Sequence, residues 1–228
     1  MLMELSYLFA GDEPKWPTNP NDHYVWETST RRGCANNAST ITHHMHNGSH
    51  VDAPRHFTKD GLTIDQIPVE NFYYEAPLTL NIPKAKGERI RKSDLEPYAE
   101  QMKKSDILLV YTGYADLRYT NPQAFIDDFP CWGADACTYI RKEFPSIKAL
   151  AMDVLSVDSA VSGDAEGFPA HHALLDLNEA NPERTLLIFE DINTKKLFEY
   201  GQTPKAICAF PVRFTGLEAA PVSMVAMF

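Results

Sequence analysis

The sequence predicts a strand-rich α/β or α+β fold. Three apolar runs, DILLVYT (106–112), KALAMDV (148–154) and RTLLIFED (184–191), have the length and composition of buried strands. Residues 134–143 lie between the first two runs and are predicted to form a helix. Buried strands that alternate with helices are typical of an α/β or α+β fold.

Further strands are predicted on both sides of this group. The run APLTLNI (76–82) alternates apolar and polar residues, as a half-buried strand does. Residues 205–214 and 222–228 have strand-like composition and complete the set. Strands therefore dominate, and we predict roughly three helices between them.

Two other segments are predicted to be helical. Ser93 and Glu96 have the spacing of a capping box, which predicts a helix from Ser93 to about Lys104. Pro97 falls in the first turn of that helix, where proline is tolerated. A short helix is predicted to begin at His171.

Composition and charge limit the class of protein. With 228 residues, the chain can form one sizeable domain or two small ones. A formal net charge of −10, without a run of Lys and Arg, argues against nucleic acid as a partner. No apolar run is long enough to span a bilayer, and the first residues lack the basic region of a signal peptide. We therefore expect a cytoplasmic enzyme with no membrane partner.

One short segment carries the strongest functional signal. Imidazole nitrogen and carboxylate oxygen are the donors that zinc and manganese accept. Gly48 permits a sharp bend of the backbone, and Pro54 stiffens the exit. Three histidines and one aspartate flank these two residues, namely His46, His50, Asp52 and His56.

The spacing of these donors predicts a shared face. On an extended or bent strand, even offsets place His46, His50 and Asp52 on one face, and His56, at a further even offset, would lie on the same face. A polar loop rich in histidine is the alternative, but five of the eight histidines lie in this region. The adjacent side chains at 43 and 44 point in opposite directions, so these two histidines are expected to lie outside the site.

Candidate partners occur in the second half of the chain. Glu190 ends an otherwise apolar strand, and sites in α/β folds usually lie beyond the carboxyl ends of strands. Either His171 or His172 could supply a distant ligand. Asp153 ends another predicted strand, with a turn or a helix cap as the alternative role. Cys34 is a further candidate, as a thiolate ligand or nucleophile, although the four cysteines show no C-x-x-C pattern and are expected to be reduced.

A metal ion held by the first three donors of the segment would keep open coordination positions. Such a site lowers the pKa of a bound water to roughly 7. If Asp52 bridges to a second ion held by His171 and Glu190, the ions would lie about 3.5–4 Å apart. His56 is not required as a ligand and is placed to accept and return a proton. No G-x-S-x-G elbow or glycine-rich phosphate loop is present, which disfavours serine hydrolases and nucleotide-binding proteins.

The segment HNGSHVDAPRHF resembles the H-x-G-T-H-x-D-x-P-x-H signature of the metal-dependent cyclase family, which includes kynurenine formamidases and isatin hydrolases. The pattern is matched except that Ser49 stands where threonine is usual, which keeps the hydroxyl. MDVLSVD (152–158), HHALL (171–175) and LIFEDI (187–192) resemble further segments of that family.

The resemblance implies one domain over residues 1–228, of the swivelling β/β/α type, that holds one or two Zn²⁺ ions, with Mn²⁺ as the alternative. His171 is preferred to His172 because it occupies the H of H-x-x-L-L. Trp16 would lie beside the substrate ring, although it could equally fill a core. The ligands implied are His46, His50 and Asp52 for one ion and Asp52, His171 and Glu190 for the other, with His56 as proton donor and acceptor.

The implied activity is hydrolysis of a small non-peptide amide, with N-formyl-L-kynurenine the leading candidate. A related cyclic-amide hydrolase, such as an isatin hydrolase, and a non-catalytic metal-binding module are the alternatives. Asp191 replaces the Asn that often follows the strand glutamate, which leaves the exact substrate open. The resemblance also implies a homodimer or homotetramer.

Overall fold

The computed structural model describes residues 1–176 and 186–228, and its fold is mixed α/β, as predicted. The strands are β1 (Leu2–Glu4), β2 (His23–Thr28), β3 (Ala38–Thr42), β4 (His50–Asp52), β5 (Tyr73–Tyr74), β6 (Pro77–Asn81), β7 (Arg89–Ile90), β8 (Ile107–Tyr111), β9 (Cys131–Trp132), β10 (Ala149–Met152), β11 (Leu187–Glu190), β12 (Ala206–Pro211) and β13 (Ala219–Met227). The α-helices are α1 (Lys92–Leu95), α2 (Ala99–Met102), α3 (Leu117–Thr120), α4 (Pro122–Asp127), α5 (Ala134–Glu143), α6 (Gly163–Glu166), α7 (Pro169–Leu175) and α8 (Lys195–Tyr200).

One mixed sheet organises the molecule. Its strands follow the order β5–β12–β13–β4–β11–β10–β8–β6, and β1 pairs with β13. The four strands from β11 to β6 are parallel, whereas β4, β13, β12 and β5 pair antiparallel with their neighbours. The strand β4 therefore lies at the junction between the parallel and antiparallel halves.

The parallel strands bury both faces, which explains their continuous apolar sequences. Leu108 and Val110 of β8 belong to a core that also includes residues of α5 and α7. Ile107 and Leu109 belong to a second core, together with Val51 of β4 and side chains of β12 and β13. Because this second core gathers residues from both halves of the sheet, the sheet must curve around it.

The predicted helix from Ser93 to about Lys104 is wrong in its start and in its continuity. The backbone N–H of Arg91 donates to the Asp94 carboxylate at 2.7 Å, so α1 begins one residue before Ser93. Pro97 has no N–H to donate to the carbonyl of Ser93, and the chain tightens there into a 3₁₀ turn. Two single-turn helices, α1 and α2, result.

The helix prediction for residues 134–143 is confirmed, and the predicted strands are present. Most have shorter bounds than predicted, but β13 begins at Ala219, three residues before the predicted start at 222. Residues 184 and 185 of one predicted strand lie outside the described residues. The prediction of roughly three helices is too low, because the described residues form eight α-helices, most of them only four to seven residues long. Segments that short carry too little apolar periodicity to be recognised.

The sequence reasoning missed the hairpin formed by β2 and β3. Within the described ranges these two strands pair only with each other, and all five residues of β3 are exposed. With no buried face, the hairpin shows no alternation of apolar and polar residues. Among the described residues, no helix is both long and apolar enough to cross a membrane.

Candidate metal centre

The short strand β4 brings the central donors into the middle of the sheet. His50 is in register with Glu190 of β11 on one side and with Pro221 of β13 on the other. Gly48 precedes the strand with φ +66°, and a Cβ there would lie 2.8 Å from the Phe9 ring. Glycine is therefore required at the bend that leads into β4.

The predicted donors converge, although by a different route from the one expected. Only His50 and Asp52 lie on β4, whereas His46 lies in the preceding turn and His56 in a 3₁₀ helix, Pro54–His56. The prediction that one continuous strand carries all four side chains on a single face is therefore wrong. Two turns, at Gly48 and at Pro54, fold His46 and His56 towards the same point, with their ring centroids 4.1 Å apart.

Asp52 is the centre of the cluster. Its Oδ1 lies 2.9 Å from His46 Nδ1 and 3.3 Å from His50 Nε2. Its Oδ2 lies 3.7 Å from His171 Nε2. Glu190 completes the group, with Oε2 3.5 Å from His50 Nε2 and Oε1 3.6 Å from His171 Nε2.

These atoms form two groups with the spacing of metal ligands. One contains His46, Asp52 and His56, and the other contains His50, Asp52 and Glu190, all with ligand atoms within 4.8 Å of one another. Asp52 belongs to both groups, as a bridging carboxylate would. Because His56 belongs to the first group, a direct role as a metal ligand is an alternative to proton transfer for this residue.

The cluster fits a cation better than it fits a metal-free core. Both carboxylate oxygens of Asp52 and Nε2 of His50 are buried and have no hydrogen-bond partner in the described part of the chain. A buried polar atom without a partner costs free energy, and a buried charge costs more. A divalent cation held between these nitrogen and oxygen atoms would satisfy all three at once.

Neighbouring groups fix which nitrogen of each histidine faces the centre. His50 Nδ1 lies 2.8 Å from the carbonyl oxygen of Gly48, which leaves Nε2 directed at Asp52. His171 Nδ1 lies 2.8 Å from Asp158 Oδ2, and this same oxygen accepts the His171 backbone N–H at 2.9 Å. Metal-binding histidines characteristically have such a partner on the second ring nitrogen.

The pKa of His56 is shifted in the opposite direction from the pKa values of His50 and His171. Burial opposes protonation of His171, but its hydrogen bond to Asp158 raises the pKa of His171 to about 9. Burial also opposes protonation of His50, yet the Asp52 carboxylate raises the pKa of His50 well above its ordinary value. Burial lowers the pKa of His56 to about 3, with further lowering by the imidazoles of His46 and His171. His56 is therefore neutral near pH 7.

The sequence reasoning missed Glu218, which faces His46 from the bend directly before β13, the strand next to β4. Its Oε1 lies 3.4 Å from His46 Nε2, and this hydrogen bond lowers the pKa of Glu218 to about 2. Glu218 directly precedes Ala219, which pairs with Asp52. The pairing of β13 with β4 was the missing information, because nothing local marks this glutamate in the sequence.

A cavity of about 430 Å³ opens above the donors. Its wall is aromatic, with Phe168 6.2 Å from Trp16 and 5.4 Å from Phe57 between ring centroids. Trp16 also packs against the buried Phe129, so it contributes both to the pocket and to the core. The polar lining includes His46, His56, His171 and Glu190.

The remaining candidates take other places. His172 is exposed and pairs with Asp176, which agrees with the preference for His171. The buried carboxylate of Asp153 accepts the backbone N–H groups of residues 112, 114 and 115, so it stabilises the turn after β8. Cys34 lies on the β2–β3 hairpin connection, and within residues 1–176 and 186–228 it belongs to neither donor group.

The other two histidines near the segment also differ in role. His43 Nδ1 lies 2.6 Å from the Asp22 carboxylate, outside the donor groups, as predicted. His44, by contrast, lines the cavity, although it too belongs to neither donor group of the described residues. It reaches the cavity because the chain turns at residues 45 and 46 and does not continue as a strand.

Together, the curved mixed sheet and its buried imidazole–carboxylate cluster define an α/β protein with a candidate metal centre beneath an aromatic pocket. Residues 3–159 match the family model described as "Putative cyclase". The chain therefore belongs to the cyclase family, as the signature around Asp52 predicted.

Individual proteins agree with this assignment. An uncharacterized protein of Haemophilus influenzae is 35% identical over 107 residues, which is 47% of this chain and 75% of that protein. Kynurenine formamidase of Salinibacter ruber is 27% identical over an alignment of 236 residues, covering 98% of this chain and 96% of the relative. Isatin hydrolase A from Labrenzia aggregata has a similar fold, with a TM-score of 0.79, 16% identity and coverage of 99% and 93% of the two chains.

Proposed function

We propose that this protein is a metal-dependent hydrolase of small non-peptide amides, and that its substrate is N-formyl-L-kynurenine, a step of tryptophan catabolism. One observation carries the proposal. The buried atoms without hydrogen-bond partners, on Asp52 and His50, lie beneath a pocket with an aromatic wall. The similarity over almost the whole chain to a kynurenine formamidase supports the choice of substrate.

The ligands proposed are the five residues predicted from the sequence, with zinc as the first candidate metal. The donor set of imidazoles and carboxylates suits zinc and manganese, and its open face on the pocket leaves room for water and substrate. A bound divalent ion would supply a water molecule of lowered pKa and a positive charge beside the substrate carbonyl. The ligand residues are His46, His50, Asp52, His171 and Glu190.

The protein's own groups would then complete the reaction. In the hydrolysis, the carbonyl carbon gains the oxygen of water and the C–N bond breaks, so the departing aniline nitrogen needs a proton. His56 lines the cavity beside His46, and we propose that it takes the proton from water and delivers it to that nitrogen. Trp16, with Phe57 and Phe168, offers a surface on which the substrate ring can stack.

A direct assay tests the proposal. Protein stripped with a chelator and reloaded with Zn²⁺ or Mn²⁺ should hydrolyse N-formyl-L-kynurenine, and the stripped protein should not. H171A should lose most of the activity, whereas H172A, which changes the exposed neighbouring imidazole, should retain it. Equal activities of stripped and reloaded protein would contradict the metal dependence, and no turnover of any arylformamide would contradict the substrate class.

A second activity has its own support. The fold is similar to that of an isatin hydrolase, so hydrolysis of a cyclic amide with manganese is the alternative. Isatin tested beside N-formyl-L-kynurenine, with each metal in turn, separates the two activities. A metal-loaded protein that hydrolyses no amide, ester or lactam in a broad panel would instead favour a non-catalytic metal-binding module.

We further propose that the protein is a homo-oligomer, a dimer or a tetramer. The support is the β2–β3 hairpin, which exposes large apolar side chains such as Val25, Trp26 and Ile41. A two-stranded hairpin alone is only marginally stable in water, so contact with another surface would stabilise it. Light scattering after gel filtration should give twice or four times the chain mass of 25.7 kDa.

A further inference from the structure

The pocket above the donors has an uneven distribution of charge. Besides the donor residues, two carboxylates line it, those of Asp164 and Glu218. No Lys or Arg is among the described residues that line this cavity. An anionic group on a substrate would therefore meet no cationic side chain in the described wall, whereas a cationic group would meet carboxylates.

The two carboxylates differ in whether they are free to contact a substrate. Glu218 is already engaged, because its Oε1 lies 3.4 Å from Nε2 of His46. Asp164 is exposed at the cavity wall, and its carboxylate pairs with no described side chain. Asp164 lies four residues before Phe168, and both line the same cavity. A substrate ring stacked on the aromatic wall would therefore share the cavity with the Asp164 carboxylate.

The charge of a single bound divalent cation does not cancel this preference. The carboxylates of Asp52 and Glu190 carry together the charge that balances one divalent cation. Both are buried at the floor of the cavity, with relative exposures of 0% and 4%. Asp164 lies outside that donor set, in contact with solvent, so its charge remains available to a substrate at the pocket wall.

We propose that Asp164 is a specificity-determining residue, and that the pocket selects aryl amides whose ring substituent is cationic or neutral over those whose substituent is anionic. The inference rests on the proposed function, because it assumes an aryl amide bound with its ring on the aromatic wall. Among aryl amides, it specifies the charge that the ring substituent of a good substrate should carry. N-formyl-L-kynurenine, a zwitterion, would be hydrolysed less efficiently than its analogue without the carboxylate.

A matched series of four 2-formamidophenyl ketones tests the inference on the metal-loaded protein. The compounds share the ring and the formamide, and their side chains end in an ammonium group, an uncharged alkyl group, the zwitterion of kynurenine or a carboxylate. We expect kcat/KM to fall in that order, with the ammonium compound up to about fivefold above the carboxylate compound, as for one exposed ion pair. Added salt should reduce the ratio.

Variants assign the effect to Asp164. D164N should reduce the ratio between the ammonium and carboxylate compounds, and D164K should invert it. D60N is the matched control, because Asp60 is exposed and lies outside the cavity lining, and it should leave the ratio unchanged. Equal rates for the ammonium and carboxylate compounds, or the same ratio in D164N as in the wild type, would overturn the inference.

Binding of the corresponding amine products separates this inference from the proposed function. Calorimetry with the deformylated ammonium and carboxylate ketones measures charge selection without any turnover. If no formamide is hydrolysed but the ammonium product still binds more tightly in an Asp164-dependent way, the proposed function is wrong and the charge selection stands. Turnover of all four compounds at similar rates would leave the proposed function in place and overturn the charge selection.

Discussion

Asp158 forms a hydrogen bond to His171, with 2.8 Å between Asp158 Oδ2 and His171 Nδ1. This contact orients the ring so that Nε2 faces Asp52 and Glu190. Carboxylates in this position orient metal-binding histidines and increase their basicity. D158N should therefore lower the affinity for Zn²⁺ about 10- to 100-fold. Competition with a chromogenic chelator measures this affinity.

The matched control is D176N, which changes the carboxylate beside the exposed His172. D176N should bind the metal with the affinity of the wild type. Equal affinities in D158N and D176N would contradict the positioning role of Asp158. Circular dichroism of both variants checks that each is folded, because Asp158 also accepts the backbone N–H groups of Ala170 and His171.

His56 is predicted to transfer protons without holding the metal. H56A should lower kcat by about 10²- to 10⁴-fold, because general acid–base catalysis contributes on that order. Its metal content, measured by inductively coupled plasma mass spectrometry, should equal that of the wild type. Loss of metal from H56A would place His56 among the ligands, together with its neighbours His46 and Asp52.

The lowered pKa of His56 predicts a pH dependence of stability for the metal-free protein. The pKa is 6.5 for an ordinary histidine and about 3 for His56 in the folded chain. Below pH 6.5 the unfolded state therefore binds a proton that the folded state does not, so this residue makes stability fall as the pH falls from 6.5 towards 3.

Thermal unfolding with a chelator present, between pH 7 and pH 4.5, tests this prediction. The Tm of H56Q should fall less steeply with decreasing pH than that of the wild type. H172Q, which removes an exposed imidazole, should follow the wild type. Parallel curves for H56Q and the wild type would show that His56 does not contribute to the dependence.

A buried ion pair beside the sheet is predicted to matter for folding. Arg118 Nε and Nη2 donate to the Asp191 carboxylate at 2.8 and 2.7 Å, and both side chains are almost fully buried. Tyr7 covers the guanidinium at 3.8 Å. Removal of one partner leaves a buried charge unpaired, so D191N and R118M should each cost about 3–5 kcal/mol in the free energy of unfolding.

Asn is the appropriate replacement for Asp191, because the residue has φ +52° and Asn tolerates this conformation. Urea unfolding of the two single variants and the double variant R118M/D191N measures the coupling. The double variant should cost clearly less than the sum of the single variants. Additive costs would mean that the two side chains do not stabilise each other.

The local sequence was sufficient to predict the donors on β4 and much of the sheet. The residue type alone indicates the role at three positions. Gly48 permits a bend with positive φ, Asp52 offers a metal ligand, and Pro54 stiffens the chain after the strand. For Ser49, the pattern indicated only that a hydroxyl is retained at this position. The structure gives its role, because its Oγ donates to the carbonyl of Asp191 at 2.6 Å and accepts the N–H of Tyr7 at 2.8 Å.

Features that depend on distant pairing could not be predicted. Glu218 faces His46 only because β13 pairs with β4, and Asp191 needs a charge partner that is 73 residues away in sequence. The exposed β2–β3 hairpin has no buried face, so it leaves no pattern of apolar residues. Local chemistry therefore identifies the donors, whereas tertiary pairing determines the groups that surround them.

The metal content of the protein tests the central proposal most directly. Wild-type protein that has been stripped, incubated with Zn²⁺ or Mn²⁺ and desalted should retain one or two ions per chain. D52N keeps the size of the side chain but removes the charge shared by both donor groups, so it should retain almost none. A wild-type protein that retains no metal, or a D52N variant that retains as much as the wild type, would contradict the account.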